Sequence, residues 1–452
     1  MRAVVIDSNL MVVDMHNFNF ARGIVRDGPK FGFEVSMVIP RRASDVVVRR
    51  LQARAALSIS LADQLMDDPW SWRIAEAIDG GAILAGDLAA LDGAAAIAGA
   101  VVLLPTASAR EMLALAIAIE RTGPPAAIVL GFHSLRTGEE QPKATNQFMG
   151  LLRYAMNRLR RVFPADRIIV NSTNARLAQA MSDLLRQPTW SYSHPIWYDL
   201  AEPKPDPEAP PDDGRLTVAV LGGTRLDKGG GMLADIASHA AGLAGRMRLL
   251  IQLVERYRVK AGTRIDDGLT DNPLVAIRWG SMPETALIWH LQTVAAVLMP
   301  YDPAEYRDRA SGIFAFAAAM GRPVIVPGGS WMSEQLEQGL AAGIVVATHE
   351  PQGYAKALRR FIDVAPSLGR AAAKRAAAWR DRENGWRHLA SISRELRACG
   401  IDLPPTPETP PAAATPDEEP GEAPAVARDA GRPVRVRRVR PGEPGGQMGS
   451  SG

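Results

Sequence analysis

One stretch limits the fold of this chain more than any other: residues 295–326 read as strand, loop, helix, tight turn and strand. Residues 295–299 form an apolar run without a polar break, the pattern of a strand covered on both faces. Residues 300–309 hold two prolines and five charged side chains, Asp302, Glu305, Arg307, Asp308 and Arg309, which excludes regular structure there. Ser311 is a strong helix N-cap, and Gly312 beside it lets a ligand approach the backbone. Residues 313–320 continue as a helix, Gly321 ends it, and residues 323–326 form the next strand. Open α/β sheets bind ligands where such a loop leaves the carboxyl end of a parallel strand and enters a helix, and an anion such as a diphosphate is favoured there.

The same alternation runs through the whole chain. Strand-like runs occur at 3–6, 33–39, 101–104, 126–132 and 167–170, then at 216–221, 247–254, 275–279, 295–299, 323–326 and 344–347, with helical patterns between most of them. This predicts an α/β protein with two doubly wound domains, over residues 1–198 and 216–375. A proline-rich, charged linker joins them at 199–215. Helices at 376–400 are expected to lean across the domain boundary, with Trp379 and Trp386 on one face of a helical run over 351–398. The segment 401–452 is rich in Pro, Ala, Gly and charge, too poor in apolar residues for a core, and is predicted to be a disordered tail. Near the N-terminus, residues 20–25 read as the first helix and leave His16 and Asn17 in a polar loop; residues 41–91 read as mostly helical.

Length and composition narrow the partners. At 452 residues and 47% hydrophobic, the chain has material for two sizeable cores. The formal net charge is only +3, and five arginines without an acid cluster at 432–441, so the folded part is nearly neutral and nucleic acid is not expected as the main partner. The single cysteine, Cys399, excludes an intramolecular disulfide and a cysteine-based metal cluster, and fits a reducing compartment. The N-terminus reads as a strand ending at Asp7 rather than a secretory signal, and no apolar run approaches 18 residues. The expectation is a soluble, cytoplasmic protein. Two basic features leave room for peripheral contact with a membrane surface: the helix face of Arg153, Arg158, Arg160 and Arg161, and the tail's arginine cluster. Both equally describe solvated surface.

The chemistry-bearing residues lie mostly in the second half. Residues 221–231 are a glycine-rich turn after a strand, with Gly222, Gly223, Arg225 and Lys228, in neither the Rossmann nor the P-loop spacing. Both cations emerge at the strand edge that also carries the 301–309 loop and the Ser311 helix terminus. Cations and the backbone N–H groups of Ser311, Gly312 and Ile313 stabilise the charge on a departing diphosphate without a metal. Taken alone, the turn equally describes two solvated cations beside flexible glycines. In the first half, His133 at the end of the strand 126–132 reads as a capped loop residue or a site residue, and His16 as a surface histidine or a binding one.

The second half resembles the donor domain of retaining glycosyltransferases of the GT-B fold, which use nucleotide-activated sugars. Residues 223–229, Gly-Thr-Arg-Leu-Asp-Lys-Gly, resemble that family's Gly-Arg-Leu…Lys-Gly turn, whose Arg and Lys grip the donor diphosphate. The family also carries two glutamates eight positions apart, then Ala and Gly-x-Pro-Val. Aligned on residues 321–324, Asp308 takes the place of the first glutamate, Ser311 that of the loop glycine and Phe316 that of the second glutamate. The first-half loop with His16 and Asn17, and His133 at a strand end, resemble positions near donor and acceptor. The resemblance implies two Rossmann-like domains facing each other across a cleft, a nucleotide-diphosphate sugar as co-substrate with no other cofactor and no metal, and a glycan, lipid-linked or protein acceptor. It implies that Lys228 and Arg225 hold the diphosphate, that Asp308 or Glu305 orients the sugar, and that His133 and His16 lie on the acceptor side. The chain departs from the pattern in two places: Gly223 stands where the family has its arginine, and Phe316 removes the acceptor of ribose hydrogen bonds. Tyr306, Arg309, Ser311 and Gly312 form a variant phosphate loop in which Arg309 replaces the missing charge. A binding subunit without turnover and a sugar-nucleotide epimerase are the alternative readings.

Overall fold

Seven short runs in the first half pair in parallel: β1 (Arg2–Ile6), β2 (Glu34–Pro40), β3 (Arg54–Leu57), β4 (Val101–Leu104), β5 (Ala127–Phe132), β6 (Ile168–Ser172) and β7 (Thr189–Ser191), in the order β3-β2-β1-β4-β5-β6-β7. The second half contributes β8 (Leu216–Val220), β9 (Met247–Leu253), β10 (Arg258–Lys260), β11 (Thr263–Arg264), β12 (Val275–Trp279), β13 (Ala296–Leu298), β14 (Val324–Pro327) and β15 (Gly343–Val346). Of these, β10 and β11 form a small antiparallel hairpin, and the other six make a parallel sheet in the order β12-β9-β8-β13-β14-β15. The structure is a computed structural model that describes residues 1–13, 16–59, 72–134, 142–223, 225–254, 258–260 and 263–407. Residues 1–413 belong to one compact unit.

Both sheets bury both faces. Val4, Ile6, Val102 and Leu104 enter one core and Ala3, Val5, Val101 and Leu103 the other, the period of two that a pleated strand imposes. The strand order reverses between β1 and β4 in the first sheet and between β8 and β13 in the second. Chains leaving two adjacent strands in opposite directions open a crevice at the carboxyl edge, and each sheet therefore has one built-in binding position.

The two halves are tied by two strands of chain that run side by side. Residues 193–198 leave the first sheet; residues 383–388 return to it. The His194 N–H donates to Glu383 Oε2 at 3.0 Å, the Gly385 N–H to Ile196 C=O at 2.8 Å, and His388 Nδ1 pairs with Ser193 C=O at 2.9 Å. Between them the Trp197 ring fills the space where a Cβ on Gly23 or Gly385 would stand, and its indole N–H donates to the buried Asp27 at 2.7 Å. The proline-rich segment that follows is anchored rather than loose. Asp206 is buried and accepts from Arg278 Nε at 3.0 Å and pairs with His290 Nε2 at 2.9 Å.

Several expectations change. The helical run over 351–398 breaks into Pro351–Arg382 and Gly385–Ala398, because Asn384 Oδ1 caps a new helix at the Arg387 N–H, 2.8 Å away. Trp379 and Trp386 consequently do not share a face: Trp379 enters a second-half core and Trp386 a first-half core, with Leu389, Ile392 and Leu396. The first helix is His16–Asp27, so His16 and Asn17 begin a helix instead of lying in a loop. Weak intrinsic helix preference is overridden there by the bond from Asn17 to Asp7 at the end of β1. Edge strand β3 interrupts the region expected to be helical; its Arg-Ala-Ala-Leu sequence carries no β-branched signal. Ile401 and Leu403, expected in the tail, are buried against the first half; the rest of the tail from 408 onward lies outside the described residues. Three arginines of the basic helix are held by neighbours: Arg158 by Glu120 at 2.6 Å, Arg160 by Gln187 at 2.8 Å and Arg153 by the Leu184 carbonyl at 3.2 Å. Among the described residues no helix is long and apolar enough to cross a membrane.

Candidate functional site

The glycine-rich turn and the charged loop leave β8 and β13, the two strands that flank the second sheet's switch point. Their closeness is written in the glycines. Gly229, at φ +77°, lies so near the start of the second loop that a Cβ there would stand 2.0 Å from the Pro300 carbonyl oxygen. A Cβ on Gly222, at φ +84°, would stand 2.6 Å from Ile313 Cγ1 and 3.4 Å from Lys228 Nζ. Lys228 and the first turn of the helix Gly312–Ala319 thus meet on one rim. Ser311 caps that helix, its hydroxyl accepting the Phe314 N–H at 3.3 Å, and the N–H groups of Gly312 and Ile313 stay outside the helical ladder.

Charge is concentrated at the same rim. Asp227 accepts from Arg225 through two bonds of 3.0 Å and from Arg309 Nη1 at 3.1 Å. Burial alone would raise its carboxyl, but the bonds from Arg225 and the charges of Arg225, Arg309 and Lys228 hold it below the usual range. The Arg309 guanidinium lies 4.9 Å above the Tyr306 ring, and Lys228 Nζ lies 5.7 Å from the Tyr301 ring centroid. Lys228 also donates to the Gly222 carbonyl. Burial, reinforced by Arg225 and Arg309 against the opposing Asp227, pushes the Lys228 amine down to about 7. Three cations around one carboxylate leave an excess of positive charge in a partly desolvated place, the condition under which a diphosphate is held well. Gly223 follows Gly222 in the turn, and a Cβ there would meet Val254 at 3.2 Å.

Asp308 stands apart from this cluster, toward the first half. Its backbone carbonyl accepts from Asn174 Nδ2 at 2.9 Å, and its Oδ1 lies 4.0 Å from Arg176 Nε and 3.9 Å from Arg307 Nε. That oxygen is buried and accepts no hydrogen bond. Glu305 is half-buried in the same loop, where its N–H points at Asp302 Oδ1, 3.5 Å away. Phe316 is only 4% exposed and packs edge-on against Tyr198 at 5.5 Å, so this position serves the core.

The first sheet's switch point, between β1 and β4, holds a second pocket. Its polar lining includes Asp7, Asn17, His133, Asn171, His194 and His388, between apolar walls that include Phe20 and Ile392. Asp7 Oδ1 accepts the Asn9 N–H at 2.9 Å and Asn17 Nδ2 at 3.4 Å, whereas Oδ2 is buried without a partner. Burial pushes the Asp7 carboxyl up to about 6 against those two bonds, and Glu111 adds to the rise. His133 Nε2 pairs with the Pro105 carbonyl at 2.8 Å; burial, and the charge of Arg309, pull the imidazole below its ordinary value. Burial likewise pulls His388 down to about 4. Ile196 of this pocket's wall also faces the other rim, where a Cβ on Gly312 would stand 4.0 Å from its Cδ1, so the two pockets are neighbours. His16 lies at the start of the first helix, its side chain outside the described residues.

Of the residues singled out from the sequence, Gly222, Gly223, Arg225, Lys228, Tyr306, Arg309, Ser311, Gly312 and Ile313 come together at the second switch point. Asp308 and Glu305 occupy the loop between this rim and the first half, and His133 and Asn17 belong to the first-half pocket. Sequence reasoning missed Asp227, which organises the cations although it stands between two residues that were recognised. It also missed Asp7, legible only as an acid directly after a strand. His388 carries no local signal either, since it lies 255 residues beyond His133 in the sequence.

No family model matches this sequence, and no curated protein does. Solved structures match it over nearly the whole described chain. The trehalose 6-phosphate synthase of Burkholderia multivorans superposes with a TM-score of 0.61 at 12% identity, covering 88% of this chain and 97% of that one. The sucrose-phosphate synthase of Thermosynechococcus elongatus gives 0.59 at 14% identity, over 88% and 100%. HepE of Anabaena, in complex with UDP, gives 0.58 at 14% identity, over 88% and 100%. Each likeness spans both sheets at once, and the chain therefore has the GT-B fold of these proteins, two Rossmann-like α/β sheets facing each other across a cleft.

Proposed function

We propose that this chain transfers a glycosyl group from a nucleoside diphosphate sugar to an acceptor hydroxyl in the cleft, with retention of configuration and without a metal ion. One observation carries this reading: Lys228, Arg225 and Arg309 converge with the Ser311 helix terminus on the switch point of the second sheet. Departure of a nucleoside diphosphate leaves charge on phosphate oxygen, and preorganised cations and N–H groups are worth most where water is excluded. Lys228 and Arg309 take that charge, with Arg225 oriented through Asp227. Arg309 supplies the cation that Gly223 lacks. Asp308, whose buried Oδ1 accepts no hydrogen bond, accepts from a donor-sugar hydroxyl, and Glu305 borders the same space. The acceptor, a glycan, a lipid-linked sugar or a protein side chain, enters from the first-half pocket, near His133 and Asn17. One of the neighbours supports the donor class: HepE is seen with UDP and, in another structure, with UDP and glucose.

A binding subunit without turnover is the second reading, favoured by Phe316, whose buried ring offers no hydrogen-bond acceptor to a ribose. The deciding experiment incubates the protein with a panel of nucleoside diphosphate sugars and follows release of the diphosphate. The expected result is release that falls at least about 100-fold in Lys228→Ala under donor-limited conditions. Equal rates in the variant overturn the mechanism, and tight UDP binding without release selects the binding subunit.

A further inference from the structure

Asn174 ends the turn after β6 and is 7% exposed. Its side chain is used at both ends. Oδ1 accepts the Leu177 N–H at 2.8 Å and caps the helix Ala175–Leu185, while Nδ2 crosses the cleft to the Asp308 carbonyl at 2.9 Å. Two residues on, Arg176 pairs with Glu334 of the helix Trp331–Glu337 and stands 4.0 Å from Asp308 Oδ1. That helix is fastened to the same loop, since the Trp331 N–H donates to the Tyr306 carbonyl at 2.7 Å. The first half therefore touches the charged loop directly at Asp308 and again through the helix behind it. The diphosphate rim draws its side chains, from Gly222, Arg225, Asp227, Lys228, Arg309 and Ser311, from the second half alone.

We infer that Asn174 and Arg176 are positioning residues for Asp308, so that the donor-sugar subsite is completed by the first half whereas the diphosphate subsite is complete in the second. This rests on the glycosyltransferase reading only for the identity of the ligand on Asp308. A carboxylate oxygen left buried without a donor costs free energy, and a sugar hydroxyl arriving there recovers it only if the carboxylate is already aimed. The bridge to Asn174 fixes the backbone that aims it. In consequence, a nucleoside diphosphate binds whether or not the two halves are joined, and discrimination for the attached sugar requires the joined state.

Asn174→Asp separates the two uses of the side chain. Aspartate caps a helix as well as asparagine does, so the Leu177 bond survives, but an acceptor oxygen replaces the NH2 that faces the Asp308 carbonyl. Arg176→Gln, at a half-exposed site, is the companion variant. The expected results are an unchanged melting temperature, pyrophosphate and UDP affinities within about twofold of the parent chain, because Arg309 stays anchored on Asp227, and amide hydrogen exchange at residues 305–308 at least about tenfold faster. With whichever nucleotide sugar the parent turns over, kcat falls about 10- to 100-fold, and the preference for nucleotide sugar over bare nucleotide shrinks. Unchanged exchange in both variants overturns the inference, and so does faster exchange with unchanged kcat. A parent chain that binds neither pyrophosphate nor UDP refutes the glycosyltransferase reading instead, while the exchange result still judges the bridge.

Discussion

The two switch points share a topology and differ in chemistry. In the second sheet, the residues that follow β8 and β13 concentrate positive charge: Arg225 and Arg309 stay charged and share Asp227, and beside them stands Lys228, whose amine burial and those two arginines bring down to about 7. In the first sheet, the residues that follow β1 and β5 are driven toward neutrality: the Asp7 carboxyl is raised and the His133 imidazole lowered, both chiefly by burial. The order of strands supplies a crevice in each case; what the crevice can hold is decided by the few residues after each strand. Glycines that let backbone approach backbone, with cations between them, suit a fixed polyanion. A protonatable acid and neutral imidazoles between apolar walls suit a neutral group that exchanges a proton or a hydrogen bond.

The largest effect that tests this contrast comes from Gly229→Ala. The left-handed backbone and the 2.0 Å approach to Pro300 oppose any side chain, so we expect a loss of about 3 kcal/mol in stability and a parallel loss of UDP affinity. Gly231→Ala, where a Cβ has ordinary room at 3.6 Å, is the control and leaves both unchanged. A tolerated Gly229→Ala would show that the rim does not depend on that contact.

Next in size is the pH dependence of nucleotide binding. A diphosphate favours the Lys228 cation, and the free protein loses that proton as pH rises through about 7. UDP affinity should then weaken by up to about tenfold per pH unit above 7, read by calorimetry between pH 6.5 and 9. In Lys228→Arg the guanidinium stays charged and the profile flattens. A flat profile in the parent chain removes Lys228 from the diphosphate.

The smallest effect belongs to the first pocket. The Asp7 carboxyl titrates at about 6 in the folded chain, above an unfolded value of about 3.9, so the folded state holds this proton more tightly. Its contribution is therefore a cost above pH 6 that disappears as pH falls below the unfolded value. Asp7→Asn, which keeps an acceptor for the Asn9 N–H, should raise stability on the order of 1–2 kcal/mol at pH 8 and change nothing at pH 4. UDP affinity should not move; if it does, the two pockets are not chemically separate.

Much of the second half was legible in advance because its signals are local. A glycine turn carrying Arg225 and Lys228, and a Ser311 cap after a broken loop, announce themselves within a dozen residues of sequence. The strand at 275–279 matches its expected bounds for the same reason, since periodicity acts over one element. The break at Asn384 was harder: a cap inside a helical pattern is visible, but that the two tryptophans part company across it depends on which core each one meets. Asp227 was overlooked because a carboxylate beside two cations reads as ordinary surface until Arg309 arrives from another loop.

The sequence by itself determined the alternation of strands and helices, the two parallel sheets it leads to, and the phosphate-seeking character of the turn and helix terminus, because apolar period, glycine and capping residues act on their immediate neighbours. Only the tertiary structure decided that Asn174 reaches Asp308, that Asp206 fastens a proline-rich segment to Arg278 and His290, and that burial lifts Asp7 and lowers Lys228. Those outcomes depend on which groups are brought within about 4 Å and which lose water, and both are set by strand order rather than by any stretch of chain read alone.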